Sequence, residues 1–246
     1  DRSPSRGLGD VYKRQLLLQD NKGNMRTKNH NGLVLWQSDE LVAILTNIKR
    51  PSRNEKTGDL LQIFIFYKHE LPSLAIVSGN DRHCCGDCGR RPLLAKESGL
   101  APCYVTLWQG PDSVWKCWES GGYPNWDGSP YIFRRKLVRF GAYGDPAYIP
   151  LDIVSSIADA CKAHTGYTHQ WNDPMYITYR KFFKASVDTQ QEYNKAQALG
   201  WSTYRARGKE EPLQSNEHVC PASKEAGRRS KCETCMLCNG HGWDMS

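Results

Sequence analysis

The strongest constraint on this chain is a group of cysteines near its carboxyl end. Cys220, Cys232, Cys235 and Cys238 lie within nineteen positions, and the last three are separated by gaps of two residues. Gaps this short turn successive sulfurs back toward one point, because the intervening loop has no room to extend. Such a triplet, with a remote cysteine followed by a proline (Pro221), is typical of a four-iron, four-sulfur (4Fe-4S) cluster. Zinc is the competing metal, since paired C-x2-C segments also build four-thiolate zinc sites.

A second group of cysteines lies earlier in the chain. Cys85 and Cys88 have the C-x2-C spacing of metal ligands, and Cys103 follows after fourteen residues. We expect these three thiols to hold a second metal centre. The candidates to complete a set of four are Cys84 and Cys117. The Cys84-x3-Cys88 spacing also matches the first two cluster ligands of radical S-adenosylmethionine enzymes, although Arg91 occupies the position of their third cysteine.

The distribution of the cysteines argues against a disulfide framework. Seven of the ten fall into the two tight groups, whereas disulfide-rich domains spread their cysteines along the chain. Clustered thiols are typical of metal ligands in a reducing compartment. The longest apolar runs, 41–45 and 60–67, are much shorter than the ~20 residues of a membrane helix. We therefore predict a soluble, cytoplasmic protein without a membrane partner.

Residues 1–24 differ from the rest of the chain. The segment DRSPSRGLGDVYKRQ resembles translated adapter sequence at the ends of assembled metagenomic genes, and Met25 is the first methionine. We therefore expect 1–24 to be non-native and leave it out of the fold argument. This segment carries +2 of the formal net charge of +7, so the remainder is only weakly basic. Nucleic acid stays a candidate partner, with phosphate contacts at Arg134, Arg135, Lys136, Arg228, Arg229 and Lys231.

The remaining sequence predicts a single α/β domain over 25–240, followed by a tail over 241–246. Short apolar, β-branched and aromatic segments at 33–36, 41–45 and 60–67 predict a small N-terminal antiparallel sheet within 25–77, with a polar turn at 50–58. Residues 74–77 predict one more strand, which leads into the first cysteine group. The region 78–130 holds that group, a tryptophan-rich loop and a short helix at 110–118.

Strands and helices alternate over 131–210. Strands are predicted at 137–143, 165–171, 181–188 and 201–207, and amphipathic helices at 150–164 and 189–199. Alternation of this kind favours a partial (βα) barrel or an open, mostly parallel sheet. The cysteine-rich segment 211–240 follows the last of these strands. Cys161, on the apolar face of the first helix, is predicted to pack in the core.

Polar residues follow the predicted strands at their carboxyl ends, where parallel α/β folds place their chemistry. These residues are Asp145, His169, Asp188 and Arg207. His169 and Asp145 are the candidate catalytic groups, since histidine titrates near neutral pH and can move protons. Each also has a structural interpretation. His169 could fix the 167–170 turn, Asp145 could start a turn before Pro146, and Asp188 could cap the following helix.

Six segments together resemble the phage gene product 88 family. They are CGDCGRRP (85–92), PCYV (102–105), GPDSVW (110–115), 139–145, GYTHQW (166–171) and CPASKEAG (220–227). The likeness spans roughly 60–240 and implies a phage or phage-infected bacterial host; the family brings no defined activity. The Gly-Asp and Tyr-Thr-His elements at the strand ends also look like those of radical-S-adenosylmethionine-like iron–sulfur phage proteins.

Two functions follow as hypotheses from the residues and these resemblances. The first is a 4Fe-4S protein, with a redox or radical role on an unknown substrate and S-adenosylmethionine as a further cofactor. The second is a zinc-stabilised module that binds nucleic acid or another protein. Whether the chain is an enzyme, and in which oligomeric state it acts, stay open.

Overall fold

The computed structural model describes residues 30–51, 57–208, 210–227 and 229–246. The predicted non-native segment 1–24 lies outside the described residues, as do Arg228 and the centre of the polar turn predicted at 50–58. Residues 31–246 form one compact unit. Within the described ranges, no helix combines the length and apolar character needed to cross a bilayer.

The described residues contain ten β-strands and seven α-helices. The strands are β1 Gly32–Gln37, β2 Leu41–Thr46, β3 Leu61–Tyr67, β4 Leu137–Tyr143, β5 Ala163–Thr165, β6 Tyr167–Thr168, β7 Lys184–Val187, β8 Thr203–Arg205, β9 Glu217–His218 and β10 Asp244–Met245. The helices are α1 Pro72–Ser78, α2 Arg82–Cys85, α3 Pro92–Ser98, α4 Pro111–Glu119, α5 Leu151–Ala160, α6 Gln190–Ala198 and α7 Cys232–Cys235.

The strands form two five-stranded sheets. The first has the order β1-β2-β3-β4-β5, with antiparallel pairs from β1 to β3 and parallel pairs from β3 to β5. The second has the order β6-β7-β8-β10-β9, and all of its pairs are parallel. The mixed α/β architecture and the N-terminal antiparallel strands agree with the prediction. Of the two predicted arrangements, the open, mostly parallel sheet is found, as two sheets, and no barrel is present within the described residues.

Gly166 joins the two sheets, since it is the single residue between β5 and β6. Its N–H donates to the carbonyl of Cys238 at 2.8 Å, and its carbonyl accepts from the N–H of Lys184 at 3.1 Å. A Cβ at this position would lie 2.5 Å from the Phe183 ring, so only glycine allows this close approach. The carboxyl ends of β4 and β6 are therefore held near one another.

The core forms around the first sheet. Every residue of β2 is buried, and so are all residues of β3 except Tyr67. Strands covered on both faces read as continuous apolar runs, which is why these two were predicted from sequence. The same core extends to Phe140, Phe183 and Trp201, and so reaches the second sheet.

The predicted strand at 74–77 is wrong, because these residues belong to helix α1. Pro72 occupies its first turn, where no backbone donor is needed, and Gly79 ends it with φ +85°. Ala75 is buried while Leu74 and Val77 are exposed, a one-sided pattern that four residues alone cannot reveal. The first cysteine group therefore follows a helix.

Other boundaries also differ from the prediction. Helix α5 ends at Ala160 and not at 164, because Cys161 adopts extended backbone angles and Ala163–Thr165 pairs with β4 as β5. The predicted strands at 181–188 and 201–207 are shorter, as β7 and β8. The segment 241–246, expected to be a tail, contains β10, which lies between β8 and β9.

Candidate functional site

All ten cysteines lie within the described residues, and none of them forms a disulfide there. Eight of them separate into a rim group of Cys84, Cys85, Cys88 and Cys103 and a carboxyl-terminal group of Cys220, Cys232, Cys235 and Cys238.

The carboxyl ends of three parallel strands meet beside the rim group, as predicted. Asp145 follows β4, His169 follows β6 and Asp188 follows β7. The Asp145 carboxylate accepts the backbone N–H of His169 at 2.8 Å, while the backbone N–H of Asp145 donates to the carbonyl of Cys84 at 2.7 Å. Two strand ends and a cysteine segment are thus fixed to one carboxylate.

Asp145 organises this region through hydrogen bonds that it accepts from neighbouring N–H groups. Its carboxylate also accepts the N–H of Ala147 at 3.0 Å and an amide N–H of Gln170 at 3.5 Å. Burial raises the pKa of this carboxyl group, and the hydrogen bonds from Ala147 and His169 oppose that shift. The turn interpretation of Asp145 is confirmed, and it acts as a positioning residue.

Two close contacts involve the sulfur atoms of the rim group. The Sγ of Cys88 lies 3.5 Å from Nε2 of His169, and the Sγ atoms of Cys84 and Cys85 are 3.9 Å apart. Cys103 lies in an exposed loop whose backbone is fixed by a 2.8 Å hydrogen bond to the carbonyl of Arg90. The structure thus brings His169 and Cys88 into contact across the sheet edge.

Burial favours the neutral form of Cys85 and Cys88. The pKa of Cys88 is raised to about 12, mainly by burial and also by the nearby Cys103 thiol, while the backbone N–H of Arg90 opposes the shift. The pKa of Cys85 is raised first by its hydrogen bond with Cys84 and then by burial. Burial also lowers the pKa of His169. A buried thiol beside a neutral imidazole is a weak nucleophile, so this pair does not resemble an activated catalytic cysteine.

Two arginines fix the loop that carries the rim group. Arg90 forms an ion pair with Asp188 at 2.7 Å, and Arg91 forms one with buried Asp81 at 2.7 Å. The predicted capping role of Asp188 is wrong, since Thr189 caps α6 in a capping box with Glu192. Arg91, which stands where a third radical-type cysteine would be, is a structural cation here.

A cleft of about 500 Å³ opens beside this rim. It lies between the turn that carries Cys88, the segment after β6 and the start of α6. His169 and Trp171 form part of its wall, with Asp87, Asp188 and Lys195. The carboxyl-end rule thus located the cleft, and the tryptophan in its wall was not among the predicted site residues.

The carboxyl-terminal group forms a small separate cluster. Cys220 and Cys238 are buried with Ala222 and Met245, and Cys232 packs against them together with Tyr167, Tyr204 and Leu237. Cys235 shares the single turn of α7 with Cys232 and is half-buried. Three of the four predicted ligands therefore approach one another, from three parts of the segment.

A buried cation, Lys184, lies next to this cluster and was missed by the sequence analysis. Its ammonium donates to the Trp243 carbonyl at 2.8 Å, the Ser202 hydroxyl at 3.1 Å and the His241 carbonyl at 3.3 Å. The pKa of Cys238 is raised to about 12, mainly by burial, although the Tyr167 hydroxyl and the Lys184 ammonium oppose the rise. The sequence feature that could have revealed this buried cation is the position of a lysine within the short apolar strand KASV.

Strand β6 connects the two groups. Tyr167 contacts the carboxyl-terminal cluster, and His169, two residues later, contacts Cys88. Two residues of extended chain span about 7 Å. The two cysteine groups are therefore neighbours on one edge of the second sheet.

Several predicted residues lie elsewhere. Arg207 pairs with Glu225 and contacts Ser246, so it belongs to the carboxyl-terminal segment and not to the rim. Cys117 lies against Gly122, apart from the rim group, and Cys161 packs against the core as predicted. The predicted phosphate-contacting residues that lie within the described ranges are all exposed: Arg134, Arg135, Lys136, Arg229 and Lys231.

Neither cysteine group is a completed ligand set in this structure. Among the described residues, no three His, Cys, Asp or Glu side chains are arranged to hold a metal ion. No family model, curated protein or solved structure matches the chain.

Proposed function

We propose that this chain is a 4Fe-4S protein of the phage gene product 88 type, in which Cys220, Cys232, Cys235 and Cys238 are the cluster ligands. The observation that carries the proposal is the approach of Cys220, Cys232 and Cys238 beside a buried lysine. Four thiolates around iron are anionic, and a buried ammonium offsets that charge.

The surroundings of these thiols support thiolate ligation. The hydroxyl of Tyr167 and the ammonium of Lys184 both favour the ionised form of Cys238. Hydrogen bonds and burial around cluster sulfurs are what set the reduction potential of such centres. These two groups oppose the effect of burial, which alone would raise the pKa of the Cys238 thiol further.

Four cysteine thiols are suitable ligands for a 4Fe-4S cluster, although their sulfur atoms do not yet surround one point. Cys232 and Cys235 lie three residues apart on α7, so their side chains share one face of its single turn. This turn is half-buried at the surface, and rotation of its side chains can bring both sulfurs toward Cys220 and Cys238.

Anaerobic purification tests the proposal. We expect a brown protein that absorbs near about 400 nm and contains iron and sulfide. Cys238→Ala should lose most of that absorbance and iron, whereas Cys161→Ala, which removes a thiol distant from both groups, should keep them. A colourless wild-type protein without iron would contradict the proposal. Cleavage of S-adenosylmethionine under reducing conditions would further assign a radical role.

The zinc-stabilised binding module is the second candidate. The exposed basic residues Arg134, Arg135 and Lys136, together with Arg229 and Lys231 inside the cysteine segment, favour it. It predicts zinc in place of iron, and binding to nucleic acid that weakens steeply as the salt concentration rises. Metal analysis of the purified chain therefore separates the two functions.

A further inference from the structure

The geometry points to a second metal site at the rim, in which His169 joins Cys85, Cys88 and Cys103 as the fourth ligand of a zinc-type divalent cation. The inference starts from the 3.5 Å separation of Cys88 Sγ and His169 Nε2. It does not depend on which metal the carboxyl-terminal cysteines hold.

This separation is the one that two ligands of a tetrahedral zinc ion have. Zinc–sulfur bonds of about 2.3 Å and zinc–nitrogen bonds of about 2.0–2.1 Å, at a tetrahedral angle, place the two donor atoms about 3.5 Å apart. A mixed set of three thiolates and one imidazole is a common zinc site, whereas iron–sulfur clusters take mostly thiolates.

The backbone that presents His169 is fixed independently of any ligand. Its N–H donates to Asp145 at 2.8 Å, and the same carboxylate holds Ala147 and Gln170. These hydrogen bonds hold the backbone at His169 in place, so it needs no further ordering when a cation binds.

The turn between Cys85 and Cys88 is equally constrained. Gly86 has φ +57°, and a Cβ there would lie 2.2 Å from the Tyr148 hydroxyl and 2.3 Å from the Gln170 amide nitrogen. The turn therefore packs tightly against the segment that carries His169. Within the turn, the backbone N–H of Cys88 donates to the carbonyl of Cys85 at 3.3 Å, so the two cysteines are held at the ends of one tight turn.

Closure of the site requires movement of two side chains. The Cys85 sulfur now contacts Cys84, so it must rotate away from that thiol. Cys103 is exposed and its backbone is fixed next to Arg90, so only its side chain needs to turn. Because His169 also lines the cleft, the completed site would stand in the cleft wall.

Metal content and cobalt spectra of the full-length chain test the inference. We expect His169→Ala to bind one zinc fewer than wild-type protein, with its iron content unchanged. With CoCl2 as the probe, the difference spectrum between wild type and His169→Ala should show thiolate-to-cobalt and d–d bands. His169→Cys should regain the metal with a spectrum shifted toward four thiolates. Cys161→Ala should match wild type in both measurements.

The outcomes are separable from those of the proposed function. Loss of iron in Cys238→Ala with zinc retained supports both sites, and loss of zinc in His169→Ala with iron retained supports the rim site alone. If zinc and cobalt uptake in His169→Ala and Cys88→Ala equal those of Cys161→Ala, the rim site does not exist. If His169→Ala fails to fold, His169→Cys replaces it in this test. A folded His169→Cys protein that binds no cobalt at the rim would also show that the rim site does not exist.

Discussion

The guanidinium of Arg205 lies against the carboxylate of Glu217, with Nε and Nη2 donating to its two oxygens at 2.9 and 2.7 Å. Both side chains are almost inaccessible to solvent, at 1% and 0% exposure. Arg205 ends β8 and Glu217 begins β9, and β10 lies between these strands. This pair therefore fastens the start of the cysteine segment to the second sheet.

We expect Glu217→Gln to lower the free energy of unfolding by about 3 kcal/mol, because it leaves the charge of Arg205 buried without its main partner. Urea unfolding of the two proteins measures this difference. Glu225→Gln is the matched control, since Glu225 pairs with Arg207 but is half exposed; it should cost less than about 1 kcal/mol. Equal effects of the two substitutions would mean that the buried pair does not fasten the segment.

The apolar runs and strand ends could be predicted from sequence because their signals are local. Strands β2 and β3 are continuous apolar runs, and helix α6 was predicted at nearly its observed bounds, although its cap was assigned to Asp188 and not to Thr189. The carboxyl-end rule then placed Asp145 and His169 at one rim without coordinates.

The second sheet could be predicted only in part. Strands β9 and β10 have two residues each, too few for any periodicity, and β10 pairs with residues far away in sequence. Asp244, for example, accepts the backbone N–H of Thr203 at 2.7 Å. Such pairings depend on long-range packing and have no sequence signal of their own. A lysine within the apolar segment KASV indicates an unusual buried cation, but its position beside Cys238 depends on the same long-range packing.

Gly86 should be the least replaceable glycine of the rim turn. We expect Gly86→Ala to destabilise the chain by about 3 kcal/mol, because it adds a steric clash to the strain of a positive φ. Gly99→Ala is the reference for left-handed backbone without a close contact: Gly99 has φ +72° and ψ +8°, and a Cβ there would meet nothing within 4 Å, whereas Gly86 combines a tight contact with ψ −133°, which other residues rarely adopt. That variant should cost only about 1 kcal/mol. Similar unfolding midpoints for the two variants in urea would rule out the close approach to Tyr148 and Gln170.

His164 should make stability depend on pH. Its Nε2 lies 3.0 Å from the Phe182 carbonyl, and burial lowers its pKa below the usual 6.5. Between the lowered folded pKa and the unfolded value, the unfolded chain binds the proton more readily. The His164 contribution to stability is therefore fully present above about pH 6.5 and is lost as the pH falls toward the folded pKa.

The measurement is the urea midpoint at pH 7.5 and at pH 5.5. Wild-type protein should lose more stability between these values than His164→Gln, whose amide can still donate to the Phe182 carbonyl but does not titrate. His69→Gln, at an exposed histidine, serves as the control and should keep the wild-type dependence. A pH dependence in His164→Gln as steep as that of wild type would assign the effect to other groups.

Substitution of Lys184 distinguishes a role in the stability of the fold from a role in holding the cluster. Lys184→Met keeps the length of the side chain but removes the charge, and it leaves the Trp243 and His241 carbonyls without their ammonium donor. We expect the free energy of unfolding to fall by about 2–3 kcal/mol. Iron content should also fall, since no buried cation then offsets the thiolates. Lys181→Met, at an exposed lysine three residues earlier, should change neither quantity appreciably. If Lys184→Met unfolds more easily but keeps the iron content and absorbance of Lys181→Met, the lysine supports the sheet and has no part in holding a cluster.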